Sequence, residues 1–138
     1  IESIVMFLII FIWTPSHFWA LSLYKFKDYE KAKIPMLPIT AGIKKTKLNI
    51  LVYAIFMFPV VITPFFIGFG SIVYLTLSLG MTIYYINLCY LLFKTKTVSK
   101  SNLIARKVFV YSIFYLFFLF LLILFDNLFK LNEIITLF

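Results

Sequence analysis

Charge is scarce in this chain: 13% of its 138 residues are Asp, Glu, Lys or Arg, and only five of them are acidic. Soluble domains carry about a quarter charged residues. With 64% hydrophobic residues and a mean hydropathy of +1.07, that class is excluded. Cysteine is nearly absent: Cys89 is the single one, so there is no disulfide framework and its expected role is packing. Internal repeats, low-complexity tracts and Gly/Ser linkers are missing, which leaves one domain or part of one. The apolar runs show no polar–apolar alternation, and a lipid-spanning β-barrel needs it. No basic segment precedes the first apolar run, so that run does not read as a signal peptide. The start on Ile1 is expected to continue a longer polypeptide.

What is abundant is apolar sequence in long runs. A membrane span takes roughly 20 apolar residues to cross a hydrocarbon core about 30 Å thick. The runs at residues 3–24, 48–67, 71–93 and 108–125 meet that requirement, which predicts four spans. Each is too long for a strand, and backbone in lipid must satisfy itself, so the predicted fold class is all-α, a polytopic transmembrane helix bundle. The gaps are residues 25–47, residues 94–107 and a tight uncharged break at Gly68-Phe69-Gly70. Of the thirteen basic residues, seven lie in the first gap, five in the second and none in the Gly68–Gly70 break; Lys130 is the remaining one. Short loops rich in Lys and Arg stay on the cytoplasmic side, so both long loops are expected there. The net charge of +8 is largely this topology signal, with anionic lipid or an anionic substrate as added partners and nothing that points to nucleic acid.

Pro15, Pro59 and Pro64 fall inside predicted spans. Each removes a backbone donor, and the expected consequence is a bend around an internal pocket. On a helix turning 100° per residue, Trp13, His17, Ala20 and Tyr24 form one stripe, with Asp28 near its edge if the helix continues. His17 would then sit inside the bilayer and Asp28 roughly 16 Å away at its rim. Two readings of His17 stay open: an intramembrane ionisable group serving a pocket, or a neutral ring bonded to a neighbouring helix. Two stay open for Asp28 as well. Among Lys25, Lys27, Lys31 and Lys33 it is either a surface charge pair or an oxygen ligand for Mg²⁺ beside a lysine-clamped phosphate. Glu30, two residues on, points elsewhere on a helix. "IPMLP" at residues 34–38 predicts a stiff non-helical turn after a short interfacial helix, "FKDYEKAK".

The stretch "WTPSHFWALSLYKFKDYEKAKIPMLPITAG" closely resembles the central signature of the protoheme IX farnesyltransferase (haem O synthase) branch of the UbiA-type intramembrane prenyltransferases. P-x-H-F-x-A-L, the basic-x-x-D-Y element and I-P-M-L-P carry the likeness over about thirty residues. The resemblance implies a nine-helix bundle of which this chain supplies helices six to nine, with the N-terminal half of the same protein as its partner. It implies haem b and farnesyl diphosphate as substrates and haem O as product. It implies Mg²⁺ held by Asp28, with Lys25 and Lys27 on the diphosphate. His17, Trp13, Tyr24, Tyr29 and Lys33 are then expected to face substrate. The family's earlier Asp-rich motif has no counterpart here, so the chain alone is expected to be inactive. The expected location is a bacterial plasma membrane, ahead of a mitochondrial inner membrane. Alternatives are a UbiA-type transferase acting on a quinone precursor, and a non-enzymatic transport or oxidase-assembly subunit.

Overall fold

A computed structural model describes residues 1–129; Lys130 lies outside the described residues. The elements are α1 (Glu2–Tyr24), α2 (Phe26–Lys31), α3 (Leu37–Thr40), α4 (Ile43–Phe66), α5 (Ile72–Lys94) and α6 (Val98–Leu128). The described residues contain no strand, in keeping with the all-α expectation. The four long helices are each long and apolar enough to cross a membrane. They close into a ring in which α1 and α5 each pack against both α4 and α6. The short α2 and α3 lie at the lysine-rich end.

The outward faces carry large apolar side chains such as Phe7, Phe56, Phe66 and Phe117, all exposed, which suits a lipid environment. Between helices in lipid there is no hydrophobic drive to pack, so small residues that let backbones approach take over. Ala20, Ala54, Ser78, Thr82, Ala105 and Ser112 are fully buried at the helix contacts for this reason. A hydroxyl network runs through the centre. Ser16 on α1 bonds the Tyr85 hydroxyl on α5 at 2.8 Å, the Tyr85 ring stacks on Tyr115 of α6, and the Tyr115 hydroxyl returns to Thr82 at 2.9 Å. Among the described residues no buried side-chain nitrogen or oxygen lacks a partner. Cys89 is fully buried in this core, the packing role expected of it.

Two local expectations need correction. The second basic loop is mostly helix: α6 begins at Val98, and only Thr95, Lys96 and Thr97 connect it to α5. Hydropathy marks where a chain enters lipid, not where it becomes helical, and no Pro or Gly interrupts "SKSNLIARK". At 1.5 Å per residue the 31-residue α6 is roughly 46 Å long, well beyond the hydrocarbon core. "IPMLP" is only half a turn: Ile34, Pro35 and Met36 are irregular after Lys33 at φ 54°, whereas Leu37 and Pro38 open α3. Proline is at home there because the first helical turn needs no N–H bond. Residues on both sides of Pro15 in α1 and of Pro59 and Pro64 in α4 are helical. No proline lines either of the two cavities described below.

The Gly68–Gly70 break forms as expected. Gly68 has φ 74°, and a side chain at Gly70 would place its Cβ 2.7 Å from the Tyr74 ring, so the turn admits no larger residue there. Beyond it, Ser71 caps α5 by accepting from the Val73 and Tyr74 amides. The carboxylate of Asp126 on α6, only 3% exposed, accepts from both the Ser71 amide and hydroxyl. Replacing Asp126 with Ala strands those donors in a low-dielectric site, at a cost of about 1–3 kcal/mol. The expected result is a lower unfolding midpoint in detergent, with Asp126→Asn intermediate because its amide oxygen still accepts.

A candidate anion site at the lysine-rich end

The backbone leaves helical geometry at Lys25, where φ is −100° and ψ is 24°, so α2 starts a new axis instead of extending α1. The continuous-helix spacing between His17 and Asp28 therefore does not apply. The break turns α2 over the end of the bundle and forms a cavity of about 430 Å³. One wall comes from the α1–α2 junction: Tyr24, Lys25, Lys27 and Asp28. The other comes from the start of α4, the α5–α6 connection and the start of α6: Ile43, Lys47, Lys96, Val98, Ser101 and Asn102. Four lysines face a single carboxylate, which makes the cavity complementary to an anion.

Asp28 is 68% exposed at the cavity mouth, and its carboxylate lies 3.5 Å from the Lys25 ammonium. An exposed pair of this kind contributes under about 1 kcal/mol, so Asp28 and Lys25 remain available to a ligand. Two cations lie over the Tyr24 ring, Lys25 at 5.2 Å and Arg106 at 5.9 Å from its centroid. Of the expected site residues, the structure brings Tyr24, Lys25, Lys27 and Asp28 together. Tyr29 and Lys33 do not line the cavity: the former is half-buried within α2, and the latter is exposed beyond its end.

His17 lines neither cavity. Its ring lies between Trp13 and Phe109 at centroid distances of 4.2 and 4.8 Å, and Nδ1 is 2.6 Å from the Ser112 hydroxyl. The Ser112 hydroxyl donates to the Phe109 carbonyl, so the neutral ring donates from Nδ1–H. Trp13 adds a bond from its indole N–H to the Ser112 carbonyl at 2.9 Å. The pair thus stitches α1 to α6. Trp13 also borders a second cavity of about 860 Å³, an apolar groove between α1 and α6 that includes Met6, Ile10, Phe117 and Phe120.

Sequence reading missed the α4 and α6 wall. Lys47 looked like one more loop charge, yet it is only 7% exposed, with its ammonium donating to the Thr95 carbonyl at 2.8 Å. The available signal was position: Lys47 directly precedes an apolar run, where a long cation on a helix's first turn can fold inward across the helix ends.

Fold and site together define a class: an integral membrane protein whose helical bundle holds a basic, anion-complementary cavity at one end. The UbiA prenyltransferase family model matches residues 1–113, and the chain belongs to that family. Among curated relatives, it is 54% identical over 127 residues to a protoheme IX farnesyltransferase of Pelagibacter ubique, 40% identical over 127 to one of Parvibaculum lavamentivorans, and 46% identical over 125 to one of Rickettsia akari. These matches cover 92%, 92% and 89% of this chain but 42%, 40% and 39% of the relatives. The chain thus spans about two fifths of their length. No solved structure matches it.

Proposed function

We propose that this chain provides part of a haem O-forming farnesyltransferase, with the lysine-rich cavity receiving the diphosphate of farnesyl diphosphate. The observation that carries the reading is the convergence of Lys25, Lys27 and Asp28 on an anion-complementary cavity, in a UbiA-family chain whose curated relatives are protoheme IX farnesyltransferases. In the reaction, the carbon–oxygen bond of farnesyl diphosphate breaks and its electron pair departs on the diphosphate. The π pair of a haem vinyl group forms the new carbon–carbon bond. Water then adds to the remaining cation and releases a proton, giving the hydroxyethylfarnesyl group. Lys25 and Lys27 would hold the departing charge, and Tyr24 would hold the Lys25 ammonium in place through its ring face.

Among the described residues no three His, Cys, Asp or Glu side chains come together. Mg²⁺ takes one or two carboxylates and completes its shell with phosphate and water oxygens, so the lone Asp28 at the cavity mouth fits one corner of such a site. When bound there, the ion would neutralise charge on the leaving diphosphate. Further acidic ligands would come from the part of the relatives' length that this chain does not span, with a bacterial plasma membrane as the setting. A quinone-precursor transferase shares this diphosphate chemistry, and the relatives' names favour haem.

The test is a chimera in which this chain replaces the matching 127 residues of the Pelagibacter ubique relative, expressed in cells lacking haem O synthesis. Haem O in pigment extracts is the expected result. A membrane-inserted chimera that makes none, beside an active parent, overturns the proposal.

A further inference from the structure

We propose that the outward face of α5 is an interface between two copies of this protein, closed by mutual hydrogen bonding of Asn87. The residue is exposed, and among the described residues its carboxamide bonds no side chain and no backbone group. Asn87 lies seven residues, roughly 10 Å along the axis, before Lys94 at the end of α5, so it faces hydrocarbon and not water. Thr63 and Thr76, also in spans, each donate to a carbonyl of their own helix. Asn87 has no such outlet, and an amide left unpaired in lipid is costly.

The surroundings of Asn87 suit a second helix. Thr76, Gly80, Ile83, Asn87 and Tyr90 form a seam of exposed residues spaced alternately four and three apart, the pattern that keeps one helix face along another. A Cβ added at Gly80 would meet nothing within 4 Å, so the seam is open there and a neighbouring backbone can come close. No residue of α5 lines either cavity, and in the ring α5 packs against α4 and α6, diagonally opposite α1. Acidic ligands that join Asp28 from the length this chain does not span approach at α1 and α2, which leaves the outer face of α5 uncovered. Copies in one membrane share an orientation, so a two-fold axis along the membrane normal sets α5 parallel to its counterpart and each seam residue against itself. A carboxamide is its own complement. Each Asn87 donates an N–H to the other's carbonyl oxygen and accepts one in return, as single Asn residues do when they fix the register of paired helices.

The chimera, labelled with donor and acceptor dyes and reconstituted in vesicles at increasing lipid dilution, tests the interface by energy transfer between copies. Asn87→Leu is expected to weaken association about tenfold, the effect of losing interhelical hydrogen bonds in lipid, and Asn87→Gln to keep most of it. Gly80→Leu, whose side chain enters open space and so spares the fold, is expected to weaken association as well by holding the helices apart. Oxidation should link copies through Ile83→Cys and not through Phe56→Cys on the outward face of α4, while Cys89 is fully buried and takes no part. A parent chimera that does not associate, association unchanged in Asn87→Leu and Gly80→Leu, or equal linkage through Phe56→Cys overturns the interface. So does an Ile83→Cys chimera that is monomeric yet shielded from a lipid-soluble maleimide, because the rest of the polypeptide then covers the seam. The outcome is independent of whether the chimera makes haem O.

Discussion

Asp28→Asn in the chimera is expected to reduce haem O formation by a factor of about 10² or more while leaving membrane insertion and thermal stability unchanged. The two halves of that expectation have separate causes. Asp28 is 68% exposed and its one ion pair, with Lys25, is a surface pair, so the fold loses almost nothing when the charge goes. Under the proposed function the chemistry would depend on it far more. Removing one preorganised group that stabilises transition-state charge typically costs 10²–10³ in rate, and an amide cannot offer Mg²⁺ the anionic oxygen it prefers. Haem chromatography on pigment extracts, paired with a detergent unfolding scan, reads both halves. Normal haem O from the Asn variant would reduce Asp28 to a solvated surface charge.

His17→Ala should behave in the opposite way, lowering the stability of the bundle by about 3 kcal/mol, in the range of large-to-small losses at packed aromatic sites. The ring's packing contributes more than its hydrogen bond. Interhelical hydrogen bonds in membrane proteins average about 0.6 kcal/mol. Aromatic contacts contribute about 0.5–1.5 kcal/mol each, and His17 has one on each face. His17→Phe should therefore keep most of the stability, and His17→Asn, which retains only a hydrogen-bonding group toward Ser112, should keep little. Unfolding midpoints of the three variants in one detergent give the order. Full stability in the Ala variant, with selective loss of haem binding, would return His17 to a pocket role.

The contrast between these residues shows what the sequence could convey. Four spans, the Gly68–Gly70 turn and the clustering of basic residues at one end were readable because hydropathy and charge are local and lipid punishes exceptions to them. The grouping of Lys25, Lys27 and Asp28 was readable because they lie within four consecutive residues of chain. The role of His17 was not, because its partners Phe109 and Ser112 lie more than ninety positions away on α6. Lys47 was hidden for a related reason: its burial depends on Thr95 and the start of α6 closing over it, contacts that only the closed ring creates. The α6 boundary misled because a helix that projects from a membrane keeps its hydrogen bonds while its residues turn polar. Asp126 lies just past the predicted end of the last span, where composition gave no hint of the Ser71 cap it serves.

The central claim, that the lysine-rich cavity receives the prenyl diphosphate, is most directly tested by photolabelling the chimera in membranes. The probe is a farnesyl diphosphate analogue with its reactive group beside the diphosphate, and the adducts are mapped by mass spectrometry. The account predicts labels in the segments that contain Lys25, Lys27 and Asp28 and in the one that contains Lys96, Ser101 and Asn102, with protection by unlabelled diphosphate. Labels confined to the apolar groove around Met6, Trp13 and Phe117, unaffected by diphosphate, would contradict it.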